Sequence, residues 1–408
     1  MLRRITKHEL PVHSPVDGEL AEPLLWCSDG NFEQAELEIL RVLKENLILL
    51  ERDNEIFISI INAAFVVQRL DLVAAMLQDR YGFPGPLTIV VAPEGSGVGL
   101  IRWEILPSSE GGGCRFTFDS RAYVGDDTRN EILAFQWEFP LFSHYAKSPQ
   151  QETGSVFINR HDIGLVPGLA YCENRPDYFL IPDYIFVSTG GYNYARQIFE
   201  DKEVPWADKR PVAFWRGATT GIPERANDWT SLPRAKLCEF ARRHDSTGLF
   251  DVGFSSVAQL DPSMAGQIRN SGLMADFVHW QEWNKYRYHI CIDGNSSPWS
   301  NLFQQLLTGS PVLKVESSRG LVQWYYDQLL PWDNYVPVAP DMSDLFDKVS
   351  WLRRNDETAE AIGRRGQQLA ERLSYERELD RSVPVISAAV SYFSGRAGAV
   401  GPYGRVVS

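Results

Sequence analysis

Apolar positions recur along this chain with two different periods, and the change from one to the other divides it. Between Asn31 and about Asp79 they fall at helical spacing in two pieces. Residues 32–50 carry Leu37, Ile39, Leu40, Val42 and Leu43, and residues 55–77 carry Ile58, Ile60, Ile61, Phe65 and Val66. A helical hairpin that buries one face on a neighbour is expected there. From Gly85 short strand-like runs take over, at residues 87–92, 100–106 and 115–119. The EGSGVG of residues 94–99 looks superficially like a phosphate loop. A strand follows it rather than a helix bearing a lysine, so a hairpin turn between the first two runs is expected. Residues 111–114 (GGGC) read as a further loop.

The next strand, 155–158, ends in Asn159-Arg160-His161-Asp162, and a second, 178–181, ends in Pro182-Asp183. From Arg210 strands and helices alternate. Residues 211–215 form a strand that runs into Arg216-Gly217-Ala218-Thr219-Thr220-Gly221, followed by a helix over 232–243 and a strand over 249–252. Tyr288 to Ile292 is an apolar run broken by the turn residues Asp293-Gly294-Asn295. Ser297 suits an N-cap and Pro298 a first helical position. Trp299, Leu302, Phe303, Leu306 and Leu307 then share one helix face, Gly309 suits a left-handed stop, and 311–315 reads as a strand. Residues 320–330 read as helix, 335–338 as strand, 343–354, 356–373 and onward to about 394 as helix, and 396–408 as a loose tail. Strands separated by helices of this length indicate an α/β fold with a parallel, doubly wound sheet.

With 408 residues the chain can build two or three domains, and 44% hydrophobic with 23% charged residues is ordinary for a globular protein. A formal charge of −13 argues against nucleic acid as a partner and against a polybasic membrane anchor, while leaving room for local basic pockets. Five cysteines without a CxxC pair indicate neither a disulfide framework nor a zinc site. The opening MLRRITKHELPVHSP has no apolar stretch after its basic residues, and no run of about 18 apolar residues occurs, so a cytoplasmic setting is expected. Twelve Trp and sixteen Tyr suit carbohydrate contact and ordinary cores equally.

Ligands of open α/β sheets bind beyond the carboxyl ends of the strands. Three candidate features lie there: the Arg216–Gly221 loop, the loop after Ile292, and the strand end Lys314-Val315-Glu316. Arg216, Gly217 and Thr219 could offer donors to a diphosphate, as could Asn295, Ser296 and Ser297 beside a helix start, with Lys314 adding charge. An ordinary crossover without ligand has the same spacing, Arg216 could simply pair with an acidic neighbour, and His161-Asp162 could be surface or supporting residues. No DxD motif for a nucleotide-bound metal stands out. Asp126-Asp127 reads as a loop and residues 341–344 as a helix cap.

The segment 285–367 resembles glycosyltransferase family 90, which includes protein O-glucosyltransferases, capsule xylosyltransferases and lipopolysaccharide-modifying enzymes. The resemblance is carried by KYRYHICIDGNSSPWSNLFQQLLTGSPVLKVESS, LPWDNYVPVAPDMSDL and WLRRNDETAEAIGRRGQQ, and extends to FWRGATTG (214–221) and INRHD (158–162), covering about 155–375. It implies a GT-B architecture of two Rossmann-like domains: 83–205 for acceptor and base, 206–384 for the UDP-sugar, preceded by a helical region over 1–82 and followed by 385–408. It further implies inverting transfer of a hexose or pentose from a UDP-sugar, with no cofactor and no metal ion. Asp162 would be the base, with His161 and Asp183 as acceptor-side or supporting residues. Arg216, Gly217, Thr219, Asp293, Gly294, Asn295, Ser296, Ser297, Lys314 and Glu316 would hold the donor. The expected acceptor is a surface glycan or lipid-linked glycan such as lipopolysaccharide or capsule, met at the inner face of the membrane. A protein O-glycosyltransferase and a degenerate fold serving as a scaffold are the alternatives. Eukaryotic members carry a second arginine before the core helix where this chain has Ser-Pro-Trp-Ser (297–300), a place that Lys314 or Arg225 would have to fill.

Overall fold

The computed structural model describes Arg41, Ala64 and residues 69–92, 101–119 and 135–395. Most of the expected helical hairpin, the EGSGVG loop, Asp126-Asp127 and the tail lie outside the described residues. The described residues fold as two compact units, one up to Ile158 with a return over residues 386–395, the other of Asn159–Val385.

The first unit contains α1 (Leu70–Tyr81), β1 (Leu87–Ala92), β2 (Ile101–Ile105), β3 (Cys114–Asp119), α2 (Phe139–Lys147) and β4 (Gly154–Ile158). Ile101, Trp103 and Ile105 are buried while Arg102 and Glu104 lie on the other face, the two-residue period of a half-buried strand. Trp103 stacks on Phe116 at 5.8 Å between centroids and meets Phe142 and Tyr145 of α2 edge-on at 4.8 and 5.4 Å. The expected hairpin between β1 and β2 does not form. β3 lies between them, parallel to β1 and antiparallel to β2, so the hairpin is β2–β3.

In the second unit β5 (Gly168–Ala170) runs parallel to β7 (Tyr178–Leu180), and α3 (Tyr184–Ser188) and α4 (Asn193–Asp201) follow. β6 (Cys172–Glu173) pairs antiparallel with β12 (Val322–Gln323). The main sheet comprises β8 (Arg210–Ala218), β9 (Phe250–Ser256), β10 (Tyr286–Cys291), β11 (Val312–Val315) and β13 (Val336–Val338) in the order β13-β11-β10-β8-β9, every pair parallel. Around it lie α5 (Pro233–Arg243), α6 (Pro262–Arg269), α7 (Trp299–Leu307), α8 (Leu345–Arg354) and α9 (Asp356–Arg372), and α10 (Tyr375–Phe393) starts in this unit and ends in the first.

β10 and β11 are buried on both faces, and His289 and Lys314 are buried with their apolar neighbours while Arg287 is half-buried. Tyr288, Ile290 and Leu313 join a core with α5, α6 and α8, while Cys291 and Val312 join another with α4 and α7. Residues 320–330 are not the expected helix. They form β12 and a short 3-10 turn (Tyr326–Gln328) that packs Trp324, Tyr325 and Tyr326 into the second core, so consecutive aromatics rather than a helical face are buried.

The sheet order has a functional consequence. From β8 the chain turns outward to β9, then crosses back to β10 and continues the other way through β11 and β13. The reversal opens a crevice between the carboxyl ends of β8 and β10, the topological switch point at which such sheets receive ligands.

His289 of β10 is fully buried, and burial, reinforced by the charge of Lys209, holds its imidazole down at about 3. Between pH 6.5 and 3 the unfolded chain therefore binds a proton here that the folded chain does not, so stability falls as pH falls. The His289→Leu variant should show a shallower loss of unfolding free energy between pH 6.5 and 4, by on the order of 3 kcal/mol. Urea denaturation across that range checks this, and unchanged pH dependence would contradict it.

Candidate functional site

Two loops and a helix start meet at the β8/β10 crevice. Asp162, Thr220, Arg234, Gly294, Asn295, Ser296, Ser297, Pro298, Trp299 and Asn301 line a cavity of about 290 Å³. Arg234 follows Pro233 in the first turn of α5, and burial holds its guanidinium below its usual range. Its Nε donates to Asp293 O at 3.0 Å, and its Nη1 donates to Ala218 O and to Thr220 Oγ1 at 3.1 and 2.7 Å. One planar fork thus ties the end of β8 to the loop after β10. Gly294 makes room for it, since a Cβ there would stand 2.8 Å from Arg234 Nη2 and 2.9 Å from Thr220 Oγ1.

Asp162 lines the same cavity. Asn295 Nδ2 donates to its Oδ2 at 2.9 Å and Trp299 Nε1 donates to its Oδ1 at 3.0 Å. Asn295 is itself oriented, because its Oδ1 accepts the Gly221 N–H at 3.0 Å. The expected base and the expected donor loop therefore belong to one unit and touch directly.

Helix α7 begins one residue later than expected. Pro298 occupies the cap position, and the Ser297 hydroxyl donates to Cys172 Sγ at 2.9 Å instead of capping the helix. Trp299 enters with a φ of 26°, a left-handed backbone costing on the order of 1–3 kcal/mol that surrounding packing must hold in place. Its indole meets Tyr171 and Tyr184 edge-on, each at 5.6 Å. Leu302, Phe303, Leu306 and Leu307 are buried as the pattern requires, and Gly309 supplies the left-handed stop with φ 68°.

Charge concentrates here against the chain's acidic balance. Burial raises the Asp293 carboxyl, opposed by the Ser317 hydroxyl, Lys314, Arg319 and Arg234. Arg319 donates to the Asn295 carbonyl, and the Lys314 ammonium lies 4.7 Å over the Tyr326 ring. Three cations around one carboxylate leave this rim suited to an anion.

Other expected site residues sit elsewhere. Arg216 does not line the cavity. Its guanidinium pairs with Asp251 on β9, donates to the Asp276 carbonyl at 3.0 Å and lies over the Phe214 ring. Gly217 fits against Trp215, where a Cβ would come within 2.7 Å of the indole. Thr219 Oγ1 donates to Ala258 O and accepts from Ala258 N, both at 2.8 Å, a structural tie. Asp183 is buried and caps α3, accepting from Ile185 N and Phe186 N, with the Tyr192 hydroxyl donating to it at 2.7 Å. Burial raises its carboxyl. His161 is half-buried beside Asp162, and Glu316 is exposed after β11.

Arg234, Arg319 and Asn301 are absent from the sequence expectations, whereas Thr220 belongs to the expected Arg216–Gly221 loop and does line the cavity. Arg234 had one legible signal: a cation in the first turn of a helix opposes the helix dipole and needs another reason to be there. Gly294→Ala should lower stability by about 1–3 kcal/mol by forcing Arg234 from its seat. Denaturant titration checks this, and wild-type stability would contradict the close packing.

The model of glycosyl transferase family 90 matches residues 149–380. The chain is 38% identical over 213 residues to Protein O-glucosyltransferase 3 of Homo sapiens, covering 50% of this chain and 38% of that protein. It is 29% identical over 167 residues to Protein O-glucosyltransferase 2 of Danio rerio, covering 40% and 29%. It is 32% identical over 184 residues to Uncharacterized protein 035R of Invertebrate iridescent virus 3, covering 43% and 16%. The chain thus spans well under half the length of each of these relatives.

Proposed function

The chain belongs to glycosyl transferase family 90, and from that premise we propose that it transfers a hexose or pentose from a UDP-sugar to an acceptor hydroxyl with inversion at the anomeric carbon. The observation that carries this reading is a carboxylate and a buried arginine lining one cavity, at the switch point of a parallel sheet.

In the proposed step the Asp162 carboxylate takes the proton of the acceptor hydroxyl while that oxygen bonds to the anomeric carbon from one face. The bond from that carbon to the β-phosphate oxygen breaks on the other face, and its electron pair leaves with UDP. Arg234, the α7 start with Ser296 and Ser297, and the Lys314–Arg319 charge stabilise the departing diphosphate. Arg234 fills the place that the Ser-Pro-Trp-Ser loop leaves without an arginine, and no metal ion is required. Gly294 and Asn295 shape the donor seat, while Arg216 acts through the sheet rather than on phosphate.

The acceptor proposed is a surface glycan such as lipopolysaccharide or capsule, reached by peripheral association with the inner face of the membrane. Among the described residues no helix is long and apolar enough to cross a membrane. A second reading, transfer to a protein hydroxyl, is favoured by the names of the vertebrate relatives.

Calorimetry with UDP and turnover of a UDP-sugar panel test the proposal. UDP should bind, Arg234→Ala should weaken it at least about tenfold, and a folded Arg216→Ala should retain it. Asp162→Asn should keep UDP affinity while transfer falls about 10²–10⁴-fold, and a chelator should leave the wild-type rate unchanged. Absence of UDP binding at millimolar concentration would overturn the donor assignment, and wild-type transfer by Asp162→Asn would overturn the base.

A further inference from the structure

Both oxygens of Asp162 accept hydrogen bonds, one from Asn295 in the loop after β10 and the other from Trp299 at the first position of α7. The Asn295 donor is oriented by Gly221. The Trp299 donor is oriented by its own unusual setting: a backbone turned to φ 26° at the helix start, and an indole fixed edge-on between Tyr171 and Tyr184 at interplanar angles of 64° and 68°. Its N–H is shared between Asp162 Oδ1 and Ser296 Oγ, both at 3.0 Å.

We propose that Trp299 is a positioning residue that sets the orientation of the Asp162 carboxylate for proton abstraction, an inference that rests on the role of Asp162 as base. The chemistry of the side chain suits this task. An indole N–H donates only, so it neither accepts the acceptor's proton nor carries a charge that would form a salt bridge with the base. A carboxylate has about four lone-pair sites, so two donors leave sites for the incoming hydroxyl proton. A lysine or arginine at this distance would hold the carboxylate in a charge-assisted pair and reduce its appetite for a proton. Because Trp299 opens α7 while Asn295 lies in the donor-side loop, the segment that seats the sugar nucleotide also aims the base.

A double-mutant cycle tests the inference on the full chain, with UDP-sugar turnover and UDP calorimetry as readouts. Trp299→Phe keeps an aromatic ring and removes the N–H. It should lower kcat roughly 10- to 100-fold while donor KM and UDP affinity stay within about twofold. Introduced into Asp162→Asn it should cost nothing further, since its effect passes through the carboxylate. If Trp299→Phe fails to fold, benzothienylalanine at position 299, which keeps the indole shape with sulfur in place of N–H, carries the same cycle. A wild-type kcat without the N–H, or an undiminished penalty on top of Asp162→Asn, overturns the positioning role while leaving the base reading intact. Wild-type turnover by Asp162→Asn alone overturns the base reading and the inference with it.

Discussion

The Arg234 fork holds the crevice together. A parallel sheet that reverses its winding leaves two strand ends, β8 and β10, with loops that diverge and carbonyls in need of donors. Arg234 supplies donors to both, at Ala218 and Thr220 on one side and Asp293 on the other. Gly294 allows the guanidinium to lie flat against the second loop. From there Asn295 bridges Gly221 and Asp162, and Trp299 completes the wall. Each contact depends on the one before, so the positions of carboxylate and cation follow from how α5 enters the sheet.

The electrostatics follow the same logic. A chain of net charge −13 gathers Arg234, Lys314 and Arg319 around Asp293. Asp293 offsets part of their mutual repulsion, and the surplus positive charge suits a diphosphate leaving group. Arg216, with more obvious neighbours in the sequence, has its guanidinium engaged by Asp251 and two further carbonyls besides the Asp276 one.

Much of the second unit was legible from the chain alone, for a physical reason. The strands around Phe214, Ile290 and Leu313 are apolar runs closed by turn residues, and the α7 face repeats at helical spacing, so local pattern suffices. The loop after Ile292 is marked by its turn residues and its place at a strand end, whereas the role of Asp162 as base comes from the family resemblance alone. What local pattern could not carry is long-range pairing. β3 inserts between β1 and β2, Arg216 finds Asp251 on a strand 35 positions on, and Ser297 turns to Cys172 instead of capping α7. Residues 320–330 read as helix in sequence, yet the chain lays Trp324, Tyr325 and Tyr326 into the core through a two-residue strand and a 3-10 turn. The role of Arg234 at the crevice emerges once the start of α5 is placed beside the end of β8 and the loop after β10.

A crystal structure of the protein grown with UDP measures the donor assignment most directly. The diphosphate is expected between the Arg234 guanidinium and the start of α7, with Asp162 facing the position of the anomeric carbon across the crevice. UDP seated away from the β8/β10 strand ends, with no contact to Arg234 or to residues 294–299, would contradict it.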